Sequence, residues 1–218
     1  MPKKKLLHFK ENLSFPFLFQ PKYPEIKDGF HLKGRWKEDF FGSNTSITLE
    51  LGCGKGEYTV TFAKMHPNMN FIGIDIKGAR LWKGCMLVQE AGLTNVAFIR
   101  TLINHLEQLF APGEISEIWI TFPDPQKKKE KKRLTSPHFL SRYARILEPE
   151  GIIHLKTDDE DFFHYTLDVV RNFGSKILWY TDDLYHSGIS GKVTYVRTFY
   201  ENIWLDQGKK ICYLQFKI

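Results

Sequence analysis

Glu50 stands two residues before a glycine-rich turn, in the run Thr48-Leu49-Glu50-Leu51-Gly52-Cys53-Gly54-Lys55-Gly56. A carboxylate at the end of an apolar strand lies beside the ligand crevice of an open sheet. There it suits a ligand with a positive centre or an amine better than a pyrophosphate. The glycines let the backbone turn tightly and admit a ligand close to the main chain. Their spacing is GxGxG, not the GxGxxG of dinucleotide-binding turns. Nineteen residues after Gly56, Asp75 closes the apolar run Phe71-Ile72-Gly73-Ile74. It is placed to accept hydrogen bonds from both hydroxyls of a ribose. Each feature has a plainer reading, a connecting turn for the first and a helix cap for the second. Together they favour a nucleoside-containing ligand with a cationic centre. S-adenosyl-L-methionine, with a sulfonium and an α-ammonium, fits that description better than a nicotinamide.

A third stretch reads Ile120-Thr121-Phe122-Pro123-Asp124-Pro125-Gln126 and runs into Lys127-Lys128-Lys129-Glu130-Lys131-Lys132-Arg133. Proline on both sides of Asp124 restricts the backbone. The carboxylate is thereby held at the end of a buried strand, in the same crevice as Glu50 and Asp75. A capped, proline-rich turn would account for Asp124 alone, but not for the basic run directly after it. A base-recognising carboxylate beside phosphate-binding lysines accounts for both.

These residues need a scaffold, and the alternation along the chain supplies one. Apolar runs at 47–51, 70–75, 96–100, 118–122 and 152–156 read as buried strands. Between them, helical patterns cover about 57–65, 79–91, 104–110 and 137–147, with Gly92 and Gly151 read as lying just past helix ends. A fifth helix at about 161–173 precedes strands at 176–180 and 211–216. Strand–helix alternation of this kind predicts an α/β fold with a doubly wound, mostly parallel sheet. The first 45 residues, broken by Pro16, Pro21 and Pro24, read as an irregular basic arm packed partly through Phe15, Phe17, Phe19 and Trp36. Residues 181–193, with Gly188 and Gly191, read as a mobile loop.

Composition narrows the classes further. The 218 residues are 42% hydrophobic and 26% charged, which excludes disordered and collagen-like chains. Three scattered cysteines fit a reducing, cytoplasmic setting and argue against a disulfide framework or a zinc ribbon. No apolar run approaches the ~20 residues of a membrane helix, and eight dispersed histidines give no metal-ligand spacing. The net charge of +6 is concentrated in residues 1–40 and 127–133, leaving a mildly acidic body. Two basic patches on such a body point to a polyanionic partner or, more plainly, to solvated lysine faces. Lys3-Lys4-Lys5 reads equally as an RNA-touching arm or as a solubilising terminus. Phe162, Phe163 and Tyr165 read as helix packing.

The segments LELGCGKGEY, FIGIDIKGARLW, ITFPDPQKKKEKKRL, HLKTDDEDFFHY and RTFYENIWLDQGKKI resemble the bacterial-type tRNA (guanine-N(7)-)-methyltransferases over roughly residues 47–218. That resemblance implies a Rossmann-like class I adenosylmethionine-dependent methyltransferase domain over 46–218 behind the arm of 1–45. It implies cofactor contacts from Glu50, Gly52, Cys53, Gly54, Asp75 and Asp124, with Asp124 also catalytic. Substrate contacts fall to Lys128, Asp158, Thr198 and Glu201. The chain departs from the family pattern at Leu102-Ile103, where Asp-Ala is usual, so the adenine contact would pass to the backbone at Leu102 or to Asn104. Gln126 replaces a common Trp, and the basic loop is about two residues shorter than in longer relatives. The implied partner is tRNA, met by a monomer or homodimer in the cytoplasm, with no membrane and no metal. Two rival readings are an adenosylmethionine enzyme acting on a small molecule and a non-catalytic RNA-binding module.

Overall fold

A computed structural model describes residues 3–218, with the backbone alone for residues 3–5, so the Lys3-Lys4-Lys5 side chains lie outside the described residues. The apolar runs become strands β2 (Ile47–Leu51), β3 (Asn70–Asp75), β4 (Val96–Arg100), β5 (Ile115–Thr121) and β6 (Leu147–Thr157). Every residue of β2 and β3 is buried, as expected of strands covered on both faces. Before them come α1 (Lys3–Glu11), β1 (Leu18–Phe19) and α2 (Tyr23–Ile26). The crossovers are α3 (Glu57–Met65), α4 (Gly78–Ala91), the single turn α5 (Leu106–Leu109) and α6 (Pro137–Ile146). The chain ends with α7 (Glu160–Asn172), β7 (Lys176–Thr181), α8 (Lys192–Tyr195), α9 (Phe199–Asp206) and β8 (Cys212–Lys217).

The eight strands form one sheet in the order β1-β4-β3-β2-β5-β6-β8-β7. All neighbouring pairs are parallel except those made by β8, which runs antiparallel between β6 and β7. One apolar cluster, around Leu49, Ile72, Ile118, Leu140 and Phe163, lies under α5, α6 and α7. The other, around Phe71, Phe98, Trp119, Phe62 and Leu81, lies under α3 and α4. Helices therefore cover both faces, and the expected doubly wound α/β fold is the one observed.

Several boundaries differ from the sequence reading, each for a local reason. β5 ends at Thr121 because Phe122 turns to a φ of 47°. Gly151 does not follow a helix end but lies within β6, where an added Cβ would come 3.0 Å from the Glu148 carbonyl oxygen. The first 45 residues are more ordered than an irregular arm. α1 packs on α4, β1 adds to the sheet beside β4, and Trp36 is fully buried with its indole N–H donated to the Leu109 carbonyl at 3.0 Å. The segment read as a mobile loop is tied down at Leu184, which is buried and whose N–H reaches the Ile211 carbonyl at 2.8 Å.

Candidate active site at the carboxyl edge of the sheet

β2 pairs with β3 on one side and with β5 on the other, so chain order reverses at β2. Ligands of open α/β sheets bind outside the strand ends at such a switch point. The glycine turn leaves β2 there, with Gly52, Gly54 and Gly56 at φ of 74°, 58° and 70°. The Gly52 and Cys53 N–H groups donate to the Ile74 carbonyl at 2.8 and 3.0 Å, binding the turn to the end of β3. Asp75 extends this link, accepting from the Gly54 N–H at 2.9 Å and from the Lys77 N–H at 2.7 Å. Glu50 is buried and accepts from the Thr59 N–H at 2.9 Å, the Thr59 hydroxyl at 2.5 Å and the Thr121 hydroxyl at 2.9 Å. Burial pushes its carboxyl up to about 7, against the pull of the threonine hydrogen bonds.

Across the switch point, the Phe122–Gln126 turn follows β5. Phe122 and Gln126 both take φ of 47°, an uncommon left-handed conformation for side-chain-bearing residues. Such backbone strain gathers at functional sites. Between them Asp124 is exposed, with Oδ1 accepting from the Gln126 N–H at 3.0 Å. Asp124 and Gly52 line both of two adjoining cavities. The smaller, of 420 Å³, also meets Glu50, Cys53, Gly54, Asp158 and Thr198. The larger, of 1200 Å³, meets Asp75, Leu102 and Asn104. Leu102 is half exposed, so it offers this cavity an apolar surface where a carboxylate was the family expectation.

The basic loop borders the larger cavity, to which it contributes Glu130, Lys131 and Lys132. Lys128 is exposed on it, and Lys127 pairs with Asp159 at 3.5 Å. Arg133 is an exception to the reading of this run as phosphate-binding. It is buried, its Nε donates to the Pro125 carbonyl at 3.0 Å, and its guanidinium lies 4.0 Å from the centre of the Tyr165 ring. Arg133 therefore anchors the loop. Asp158 lines the smaller cavity and accepts from Lys209 at 3.1 Å, while that ammonium lies 3.8 Å from the centre of the Trp204 ring.

Glu201 departs from its expected place as a substrate acceptor. Its carboxylate is fully buried and lines neither cavity. It forms an ion pair with the equally buried Lys156, accepts from the Tyr185 hydroxyl at 2.6 Å and the Tyr58 hydroxyl at 3.2 Å, and closes a capping box with Thr198 at the start of α9. Burial drives the Lys156 ammonium down to about 8, with Glu201 acting in the opposite direction. Glu201 thus seats the helix that carries Thr198, Tyr200 and Trp204 to the cavity wall. The sequence reading places Tyr200 within the tail motif of 198–201 but misses Lys156 and Trp204. The only signal was a lysine inside the apolar run Ile152-Ile153-His154-Leu155-Lys156. Glu50, Gly52, Cys53, Gly54, Asp75, Leu102, Asn104, Asp124, Asp158 and Thr198 do converge on the two cavities, with Lys128 on the loop beside them.

Residues 44–214 match a family model described as "Putative methyltransferase". A tRNA (guanine-N(7)-)-methyltransferase of Christiangramia forsetii is 53% identical, covering 99% of this chain and 98% of its own length. The enzyme of the same name from Bacteroides thetaiotaomicron is 47% identical, covering 100% of this chain and 87% of its own length. Among solved structures, the 16S rRNA methyltransferase KamB superposes with a TM-score of 0.63 at 14% identity, over 83% of this chain and 91% of its own. An antibiotic-related methyltransferase gives 0.59 at 19%, over 83% and 90%. At those identities the two structures establish the fold alone. The match over nearly the full length of close relatives, on a class I methyltransferase fold, establishes that this chain belongs to the tRNA (guanine-N(7)-)-methyltransferase family.

Proposed function

We propose that this protein transfers a methyl group from S-adenosyl-L-methionine to N7 of a guanine in tRNA, at the point where Asp124 separates the two cavities. The observation that carries this reading is the sharing of Gly52 and Asp124 between those cavities, with a lysine-rich loop at the edge of the larger. The donor set fits the cofactor. Buried Glu50 suits an ammonium, the glycine turn gives close backbone approach, and Asp75 retains acceptor capacity for a ribose beyond its two backbone donors. When bound, adenosylmethionine supplies an electrophilic methyl group.

Guanine N7 carries an in-plane lone pair, so no residue need act as general base. The protein's task is placement, bringing the reacting atoms to ~3–3.5 Å in line. Methylation leaves positive charge on the base, and a fixed carboxylate aimed at that charge lowers the barrier. Asp124, held by two prolines and two strained neighbours, is the group we assign to this role. Asp158, lining the same cavity, offers an acceptor to the donor-rich edge of guanine. Lys128 and its neighbours contribute affinity through phosphates, without sequence information. The target is a guanine outside continuous duplex, in the variable loop by analogy with the family, because a stacked base is out of reach. We further assign the enzyme to the cytoplasm, as a monomer or homodimer with residues 1–45 preceding the catalytic unit. Among the described residues no helix is long and apolar enough to cross a membrane.

The test uses a tRNA transcript in which guanosine is replaced by 7-deazaguanosine. Normal transcript should accept labelled methyl and the deaza transcript none. Equal labelling of both would rule out N7 as the acceptor.

A further inference from the structure

The smaller cavity is lined by five carboxylates, Glu50, Glu57, Asp124, Asp158 and Asp159. They favour a cationic cofactor and a base gaining positive charge, but they repel the phosphates on either side of the nucleotide that enters. Two cations share the same walls, Lys55 and Arg80. Arg80 lies in the first turn of α4 and is exposed, and among the described residues its guanidinium has no hydrogen-bond or ion-pair partner. Lys55 is half-buried in the glycine turn, its ammonium 4.8 Å from the centre of the exposed Phe199 ring, also without a carboxylate partner among the described residues.

Topology puts this pair opposite the lysine loop. The glycine turn follows β2 and α4 follows β3, on one side of the switch point. Asp124 and Lys127–Lys132 follow β5, and Asp158 follows β6, on the other side. A nucleotide whose base enters between them carries one phosphate toward each flank. One flank meets the lysine loop, and without Lys55 and Arg80 the other would meet only carboxylates and neutral groups. Guanidinium presents paired N–H donors that match two phosphate oxygens. Lys77, at the N-cap of α4, and Lys83, three residues after Arg80 on the same helix, are both exposed and add positive charge next to it in sequence.

We propose that Lys55 and Arg80 form a phosphate subsite for the extruded nucleotide, gripping the RNA backbone on the wall opposite the lysine loop. This rests on the reading of tRNA as substrate. The test measures tRNA affinity as a function of salt for wild type, Arg80→Gln and the Arg80→Gln/Lys55→Met pair. S-adenosylhomocysteine affinity is measured on the same proteins by calorimetry. Arg80→Gln should weaken tRNA binding about tenfold and make the log–log salt slope shallower by about 0.7–0.9 for the lost contact. S-adenosylhomocysteine affinity should stay within about twofold. Unchanged tRNA affinity and slope would overturn the subsite, as would a parallel loss of S-adenosylhomocysteine affinity, which would assign the pair to the cofactor's carboxylate. A wild-type protein that failed to bind tRNA would overturn the substrate reading itself, and this subsite with it.

Discussion

Glu50 shows most directly how one side chain's surroundings set a property of the enzyme. Burial lifts its carboxyl from an ordinary 4.5 to about 7. Between these values the folded protein keeps a proton that the unfolded chain has released. Stability from this group is therefore present below pH 4.5 and lost as pH rises through 7, by about 3 kcal/mol. A bound ammonium reverses the preference, since it needs the carboxylate ionised. Affinity for S-adenosylhomocysteine should thus weaken by up to about tenfold per pH unit below 7 and level off above it, and Glu50→Gln should remove that dependence; titration calorimetry from pH 5.5 to 8.5 checks both. The site carboxylates at 50, 75 and 124 were legible in the sequence because each stands at or just beyond the end of an apolar strand, a relation that local pattern contains. Glu201 was not. Its burial depends on β6 delivering Lys156 under α9, and nothing near residue 201 encodes that meeting.

Elements are joined at this site by two devices, one apolar and one ionic. Phe98 of β4 fills a space bounded by Gly56, Gly73 and Gly84, where an added Cβ would come within 2.5, 2.7 and 2.8 Å of its ring. Those glycines let the glycine turn, β3 and α4 close on a single aromatic ring. Gly56→Ala meets both that clash and a φ of 70°, and should cost about 2 kcal/mol or more. Phe98→Leu in the same chain should return part of the loss, read from denaturant midpoints. The ionic device is Lys156–Glu201. Glu201→Gln leaves a buried ammonium without its counter-charge and should cost about 3–5 kcal/mol, whereas the Lys156→Met/Glu201→Leu pair should recover most of it in the same unfolding assay. Sequence periodicity located β2, β3 and β4 because strands buried on both faces read as unbroken apolar runs. It misjudged the first 45 residues, where α1 and β1 are stabilised by α4 and β4 rather than by their own pattern. In 181–193 it gave no sign of the contact that ties Leu184 to Ile211.

At the scale of the whole molecule, acidic and basic groups are partitioned between the two cavities. Five carboxylates line the smaller cavity, while Lys131 and Lys132 of the basic loop border the larger, with Lys127, Lys128 and Lys129 exposed beside them. Changing Lys127, Lys128 and Lys129 together to Ala should weaken tRNA binding uniformly across tRNA sequences and make the salt slope shallower by up to about 2–3. Filter binding at several salt concentrations, with two unrelated tRNAs, checks this. The basic character of this loop was legible from composition, but its anchoring was not: Arg133 reads as one more cation until Tyr165 and Pro125 are seen to hold it. The assignment of Asp124 to the place where cofactor and guanine meet underlies the proposed reaction. It is tested most directly by locating the labelled methyl in tRNA after reaction with wild type and with Asp124→Asn, while affinities for S-adenosylhomocysteine and tRNA are followed separately. Label should appear at N7 of guanine, and turnover should fall by about 10²–10³-fold in Asp124→Asn with both affinities within a few-fold of wild type. Label on another atom, or wild-type turnover in Asp124→Asn, would contradict it.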